Sequence, residues 1–189
     1  PGFSSIEEFN AELLRVLGRR HVFTTHPLDQ SLRNGSQTAR SLLTEPSPVI
    51  QAILRTFAAP LDDYQRRLGT DAEHQLSRRN TGSAVIAGAW SVQLRCNGFH
   101  VNHVHPHGWI SSAYYVAVPD EVEDRSAMSG WLKFGEPRYS TPGAAAETFV
   151  LPRAGRLVLF PSYMWHGTNP IHGSQMRTTI AFDAVPQRP

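Results

Sequence analysis

From His100 to Val118 the chain reads HVNHVHPHGWISSAYYVAV, four histidines crowded ahead of a β-branched and aromatic run. Pro106 and Gly108 punctuate it, so it predicts two short strands, over 99–105 and 112–118, joined by a turn. The same texture extends outward on both sides from about Thr81, with short apolar runs alternating with Gly, Pro and Asn. Further strands are expected over 84–95, 131–134, 147–150, 156–160 and 176–184. Seven strands with no helical period between them predict an antiparallel sandwich or barrel rather than a parallel sheet.

The first 80 residues have a different period. Residues 5–18 place Ile6, Phe9, Leu13, Leu14 and Leu17 on one stripe, with Ser5 and Glu8 at capping-box spacing and Gly18 after the last apolar position. A second helix is expected from Ser47 and Pro48 to about Phe57, with Pro60 breaking or kinking it and a further turn or two through Leu61, Tyr64 and Leu68. The intervening HPLDQSLRNGSQT, residues 26–38, has the Asn-Gly and Ser/Gln content of turns and extended loops. An α+β fold follows: a jelly-roll barrel over 81–186, with the helical support region 1–80 packed on its outer sheet face, all within a single domain spanning 1–189. PDEVEDRSAMSG, residues 119–130, is acidic and poor in apolar residues, and is expected to be a solvated loop.

Composition narrows the function. Of 189 residues, 18 are basic and 16 acidic, a formal net charge of +2, with none of the dense basic stripes that nucleic-acid binding requires. The expectation is no nucleic acid and no membrane partner, since no apolar run is long enough to cross a bilayer and the N-terminus lacks the order of a signal peptide. A single cysteine, Cys96, excludes a disulfide framework and a Cys-rich zinc site, fits a reducing compartment and so predicts a cytoplasmic protein in which Cys96 is a small buried residue. The 9 histidines exceed what packing needs, and only Lys133 among the basic residues is a lysine.

Those histidines carry the chemistry. His103 and His105 are two apart, so on a strand they share a face from which both imidazoles reach one metal ion. A regular strand turns His100 to the other face, and His107 lies beyond Pro106. A third ligand is available 63 residues after His103, where GRLVLFPSYMWHGTNP offers His166 after the turn at Pro161. Eleven residues later comes Arg177, then Thr179 on the same face of RTTIAFD. A guanidinium grips a carboxylate through two parallel hydrogen bonds, and a neighbouring hydroxyl adds a third. A dicarboxylate that chelates the metal at one end could thus be anchored at its other end.

The segments NHVHPHGWISSAYYVAVP, GRLVLFPSYMWHGTNP and RTTIAFD resemble the Fe(II)- and 2-oxoglutarate-dependent oxygenases of the prolyl-hydroxylase-like group, and more narrowly a bacterial group whose first motif is His-x-His followed by Pro. The resemblance covers residues 85–184 and implies a double-stranded β-helix with helices outside its larger sheet. It implies Fe(II) as metal, 2-oxoglutarate as cosubstrate and O2 as oxidant, with release of succinate and CO2 and hydroxylation of a small-molecule or peptide substrate. His103 and His166 match iron ligands. His105 stands where most of the superfamily has Asp or Glu, and no acidic residue lies between Glu73 and Asp120. Either the site has three histidines, or a carboxylate arrives from afar, with Asp120, Glu136 and Asp183 as candidates. Arg177 and Thr179 match the positions that hold the C5 carboxylate of 2-oxoglutarate, Tyr115 matches a tyrosine that bonds the same carboxylate while Tyr114 faces outward, and Gln93 falls where relatives place a polar cosubstrate contact. HPLDQSLRNGSQT is similar to members carried behind helical-repeat domains, and with Pro1 in place of a Met the expectation is a piece of a longer chain attached to an upstream helical-repeat domain.

Two other readings of the same residues remain open. A cupin-like three-histidine metalloenzyme without 2-oxoglutarate accounts for Gly155, Pro161, His166 and Asn169, but leaves Arg177 and Thr179 without a task. A non-catalytic jelly-roll binding module accounts for the fold alone. Trp109, Trp131, Met164 and Trp165 read as packing residues, His26 and His172 lack a partner at ligand spacing, and Arg33, Asn34 and Gln37 are candidates for the pocket mouth.

Overall fold

The computed structural model describes residues 2–25, 28 and 30–187, so His26 lies outside the described residues. Helix α1, Ile6–Gly18, begins at Ser5, whose hydroxyl accepts the Glu8 N–H at 3.2 Å. The returning half of the capping box closes one residue early: the Glu8 carboxylate accepts from the Ser4 N–H and hydroxyl at 2.8 and 2.6 Å. Helix α2 spans Pro48–Thr56 and α3 spans Ala58–Leu68. The break falls at Phe57, and Pro60 sits within the first turn of α3, where its missing N–H costs no intrahelical bond. The further turn or two expected through Leu61, Tyr64 and Leu68 is thus a separate third helix of about three turns.

Among the described residues, eight strands form two antiparallel sheets. A five-stranded sheet has the order β1-β2-β8-β3-β6, built from β1 (Leu32–Gln37), β2 (Ala84–His100), β8 (Arg177–Pro186), β3 (Ile110–Ala117) and β6 (Leu157–Pro161). A three-stranded sheet has the order β5-β4-β7, from β5 (Thr148–Val150), β4 (Leu132–Phe134) and β7 (His166–Thr168). The helices cover the outer face of the larger sheet. Phe9, Leu13 and Leu17 of α1, Ile50 and Ile53 of α2 and Leu61 of α3 share one buried cluster with Ala89, Ile110, Tyr114, Ile180, Phe182 and Ala184 of the sheet. Among the described residues, no helix is long and apolar enough to cross a membrane.

Four expectations are corrected. The loop expected over 26–38 contains β1: Asn34 takes a left-handed φ of 50° and the register against β2 shifts between Arg33 and Gly35, so the irregularity sits inside a strand that continues on both sides of it. A Cβ at Gly35 would run into the Gln93 carbonyl oxygen, so glycine is what lets β1 lie against β2. No separate strand spans 99–105: β2 runs unbroken to His100 and only an isolated bridge, His103 to His166, follows. Cys96, on the irregular stretch that carries the left-handed Asn97, is exposed rather than buried. The acidic stretch after Pro119 is pinned rather than free, with Val122 buried against Trp131 and Leu151.

Candidate metal centre

His103 and His166 are placed by the backbone itself. Their main chains exchange both hydrogen bonds, His103 N–H to His166 O at 2.9 Å and His166 N–H to His103 O at 3.0 Å, which joins the end of one sheet to the start of the other. The His105 N–H donates to Ser162 O at 2.8 Å, holding the third ring against the turn that follows β6. The three ring centroids lie 4.2–5.1 Å apart, and one nitrogen from each falls within 4.8 Å of the others. Each Nδ1 has its own acceptor: Val101 O at 2.8 Å for His103, Met164 O at 2.9 Å for His166, and both Asp183 carboxylate oxygens at 2.7 Å for His105. A carbonyl cannot donate, so these Nδ1 atoms carry the protons and the Nε2 lone pairs are left to converge. Burial, with His105 alongside, pushes His103 down to about 4, and burial with His103 alongside holds His166 well below the usual histidine range. Both rings are therefore neutral, the state a metal ligand needs.

The triad lines a cavity of about 920 Å³. Its walls include Arg177, Thr179, Ala181 and Asp183 of β8, alternate residues on one face of that strand. Arg177 is 3% exposed and forms no ion pair among the described residues, and its Nε has no hydrogen-bond partner. The Tyr115 ring lies under the guanidinium at 5.0 Å, and the Tyr115 hydroxyl is likewise buried without a partner. Tyr115 pairs with Thr179 across the β3–β8 ladder, so both face inward. A buried cation beside two hydroxyl-bearing residues, with no anion of the protein to meet it, is a cradle for a carboxylate. It fits one end of 2-oxoglutarate as well as three convergent imidazoles fit a divalent iron.

Gln93 is not part of this arrangement. It pairs with Thr178, whereas its neighbour Val92 pairs with the inward-facing Thr179, so strand alternation turns Gln93 toward the opposite side of the sheet. Tyr114 does point away from the cavity, into the helical layer, where its hydroxyl donates to Asn10 Oδ1 at 2.7 Å. Asp120 and Glu136 are engaged elsewhere, with Gln175 and with Lys133, and Asp183 stands behind His105. Arg33 and Gln37 line the cavity; Asn34 is exposed and donates to Asn97 O at 3.2 Å. Trp109 and Trp131 are buried, their indole N–H groups donating to the carbonyls of Leu76 and Val122.

Two cavity residues escaped the sequence reading. His100 is turned inward and stacks on His103 at 5.9 Å, its Nδ1 meeting Ser31 Oγ at 2.9 Å. The left-handed Asn97 three residues earlier breaks the regular alternation that would have sent it outward. Trp90 stacks on His105 at 6.0 Å, and its place in the 84–95 strand two residues before Val92 was the available signal.

Residues 88–183, just over half of the chain, match the family described as "Putative 2OG-Fe(II) oxygenase". No curated protein matches the chain. Among solved structures it is similar to a prolyl-4-hydroxylase of Pseudomonas putida, at 13% identity and a TM-score of 0.63 over 96% of this chain and 88% of that one. It is similar also to the viral collagen prolyl hydroxylase of Paramecium bursaria Chlorella virus-1, at 12% identity, TM-score 0.62, 96% and 91% covered. A third is HygX of Streptomyces hygroscopicus, solved with nickel and 2-oxoglutarate, at 13% identity, TM-score 0.60, 96% and 79% covered. At these identities the structural likeness speaks for the double-stranded β-helix fold. The family match, the three-histidine cluster and that fold agree, and the chain belongs to the 2-oxoglutarate- and Fe(II)-dependent oxygenase family.

Proposed function

We propose that the protein is a 2-oxoglutarate-dependent hydroxylase in which His103, His105 and His166 hold Fe(II), and Arg177, Thr179 and Tyr115 hold the far carboxylate of the cosubstrate. The observation that carries this reading is the buried, anion-free Arg177 in the same cavity as the three-histidine cluster. Bound Fe(II) supplies the activation of O2 against 2-oxoglutarate, with succinate and CO2 as products and one oxygen atom delivered to substrate.

The residues do the rest. His103, His105 and His166 present Nε2 lone pairs from one side of the cavity and leave the other side for cosubstrate, O2 and substrate. Arg177 draws in a carboxylate because a buried guanidinium without a partner is a standing electrostatic cost that an anion removes. Thr179 and Tyr115 add hydrogen bonds that fix the orientation of that carboxylate, and Phe160, packed 4.6 Å from His166, helps exclude water from the metal side. The substrate, a small molecule or a peptide side chain, enters past Arg33, Gln37 and His107 at the cavity mouth.

Anaerobic addition of Fe(II) and then 2-oxoglutarate tests this directly. The expected result is a weak, broad visible charge-transfer band in the wild-type protein that H166A and H103A lack because they no longer bind iron. Folded, iron-loaded protein that gives no band with 2-oxoglutarate would transfer the case to a metalloenzyme that does not use this cosubstrate.

A further inference from the structure

The three histidines are not equivalent. His103 and His166 each give the Nδ1 proton to a neutral main-chain carbonyl two residues away, Val101 and Met164. His105 gives its proton to a carboxylate 78 residues away, both oxygens of Asp183 standing at 2.7 Å. That carboxylate is itself held. Ser111, directly opposite on β3, donates its hydroxyl to Asp183 Oδ1 at 2.6 Å, and Ser162 Oγ, 2.8 Å away, then donates to Ser111. Both serines are buried, at 0% and 1% exposure. The Ser162 carbonyl in turn accepts the His105 N–H, so a ring of hydrogen bonds runs from His105 through Asp183, Ser111 and Ser162 back to His105. The turn leaves room for it only at Gly108, where a Cβ would run into Ser162 Oγ and come within 3.5 Å of Asp183 Cγ.

Charge makes this ring more than a brace. Three imidazoles bring no charge to a divalent cation, and Asp183 is the one carboxylate lining the cavity among the described residues. We propose that Asp183 is a positioning residue for the metal centre: it fixes the His105 ring with Nε2 turned toward the metal and returns, through the Nδ1 hydrogen bond, the negative charge that the three-histidine ligand set lacks. A hydrogen-bonded carboxylate behind a ligating imidazole raises the basicity of the ligand and locks its tautomer. The inference rests on the three-histidine reading of the metal centre.

Co(II) binding, followed anaerobically by its visible spectrum and without 2-oxoglutarate, separates the two. Wild-type protein is expected to bind one Co(II); failure to do so overturns the metal-centre reading and this proposal with it. D183N keeps the shape and one acceptor oxygen but removes the charge, and is expected to weaken Co(II) about 10- to 100-fold with an altered spectrum. Equal affinity and an unchanged spectrum in folded D183N would overturn the proposal while leaving the metal centre intact. If D183N does not fold, S111A, which frees Asp183 without removing it, decides the matter by a smaller loss in the same direction or by none. The H105D background sharpens the test because it puts an anion at the ligand position itself. There D183N should cost no affinity, or raise it by removing a like charge; an undiminished cost would mean that Asp183 acts only through the fold.

Discussion

Strand β8 presents two different sets of residues to its two sides. Thr178, Ile180, Phe182 and Ala184 face the helices, and three of the four belong to the main apolar cluster. Arg177, Thr179, Ala181 and Asp183 face the cavity. One ten-residue segment therefore anchors the core with its even positions and builds the site with its odd ones, which is possible because a strand turns alternate side chains to opposite faces. The expectation is that changes on one side register in folding and changes on the other in ligand binding, with little crossover.

The largest effect is expected on the helix-facing side. Phe182 is fully buried and packs 4.9 Å from Phe57, so F182A should cost about 3–5 kcal/mol of stability. The affinity for 2-oxoglutarate of whatever folds should be close to wild type. Urea unfolding and cosubstrate titration on one sample check both halves. A variant whose cosubstrate affinity falls in step with its stability would break the separation.

Arg177 provides the converse. Removing one partner of a buried charge pair costs about 2–5 kcal/mol, so R177L should raise the 2-oxoglutarate requirement by about one and a half to three and a half orders of magnitude. The same substitution removes a buried cation that the ligand-free protein leaves unmatched, so the ligand-free melting temperature should hold or rise. A fall in that temperature would mean that Arg177 holds the fold together rather than the ligand.

The smallest effect concerns a histidine outside both sets. His21 bridges Ser36 Oγ at 2.9 Å and Ser91 Oγ at 3.1 Å, and burial, with Arg95 nearby, pushes it from 6.5 to about 4. A base whose folded value is depressed binds fewer protons folded than unfolded between these limits. Stability is thus full above about 6.5 and is lost as pH falls toward 4. H21Q should flatten part of that decline in thermal melts across the acid range, without changing cosubstrate affinity at neutral pH.

How much of this was legible beforehand follows from the same alternation. His103, His105, His166, Arg177 and Thr179 were found because distinctive side chains recur at spacings that survive an imperfect strand register, and all five line the cavity. Tyr115 was named through family resemblance, and the β3–β8 register turns it inward. Gln93 was misplaced because its face depends on counting along a strand whose partners were unknown. His100 was set aside by assuming regular alternation through Asn97, where the backbone turns left-handed. Strand β1 was hidden because the Asn34-Gly35 pair and its Ser/Gln neighbours have the content of turns and extended loops, and only the pairing with β2 makes the pair an irregularity within a strand. Asp183 was visible as a carboxylate near the right strand, but sequence cannot tell a ligand from the group that stands behind one.

β8 is hydrogen-bonded along both edges, to β2 on one side and to β3 on the other. It has no free edge along which to slide, and a slip of one residue would turn Ile180 and Phe182 into the cavity and Arg177 and Asp183 into the helices. Exchange of one residue for another inside β8 therefore affects one face, whereas loss or gain of a single codon there strikes both at once. Lineages descended from this sequence should tolerate length variation in the exposed segment between β4 and β5 and almost none between residues 177 and 186.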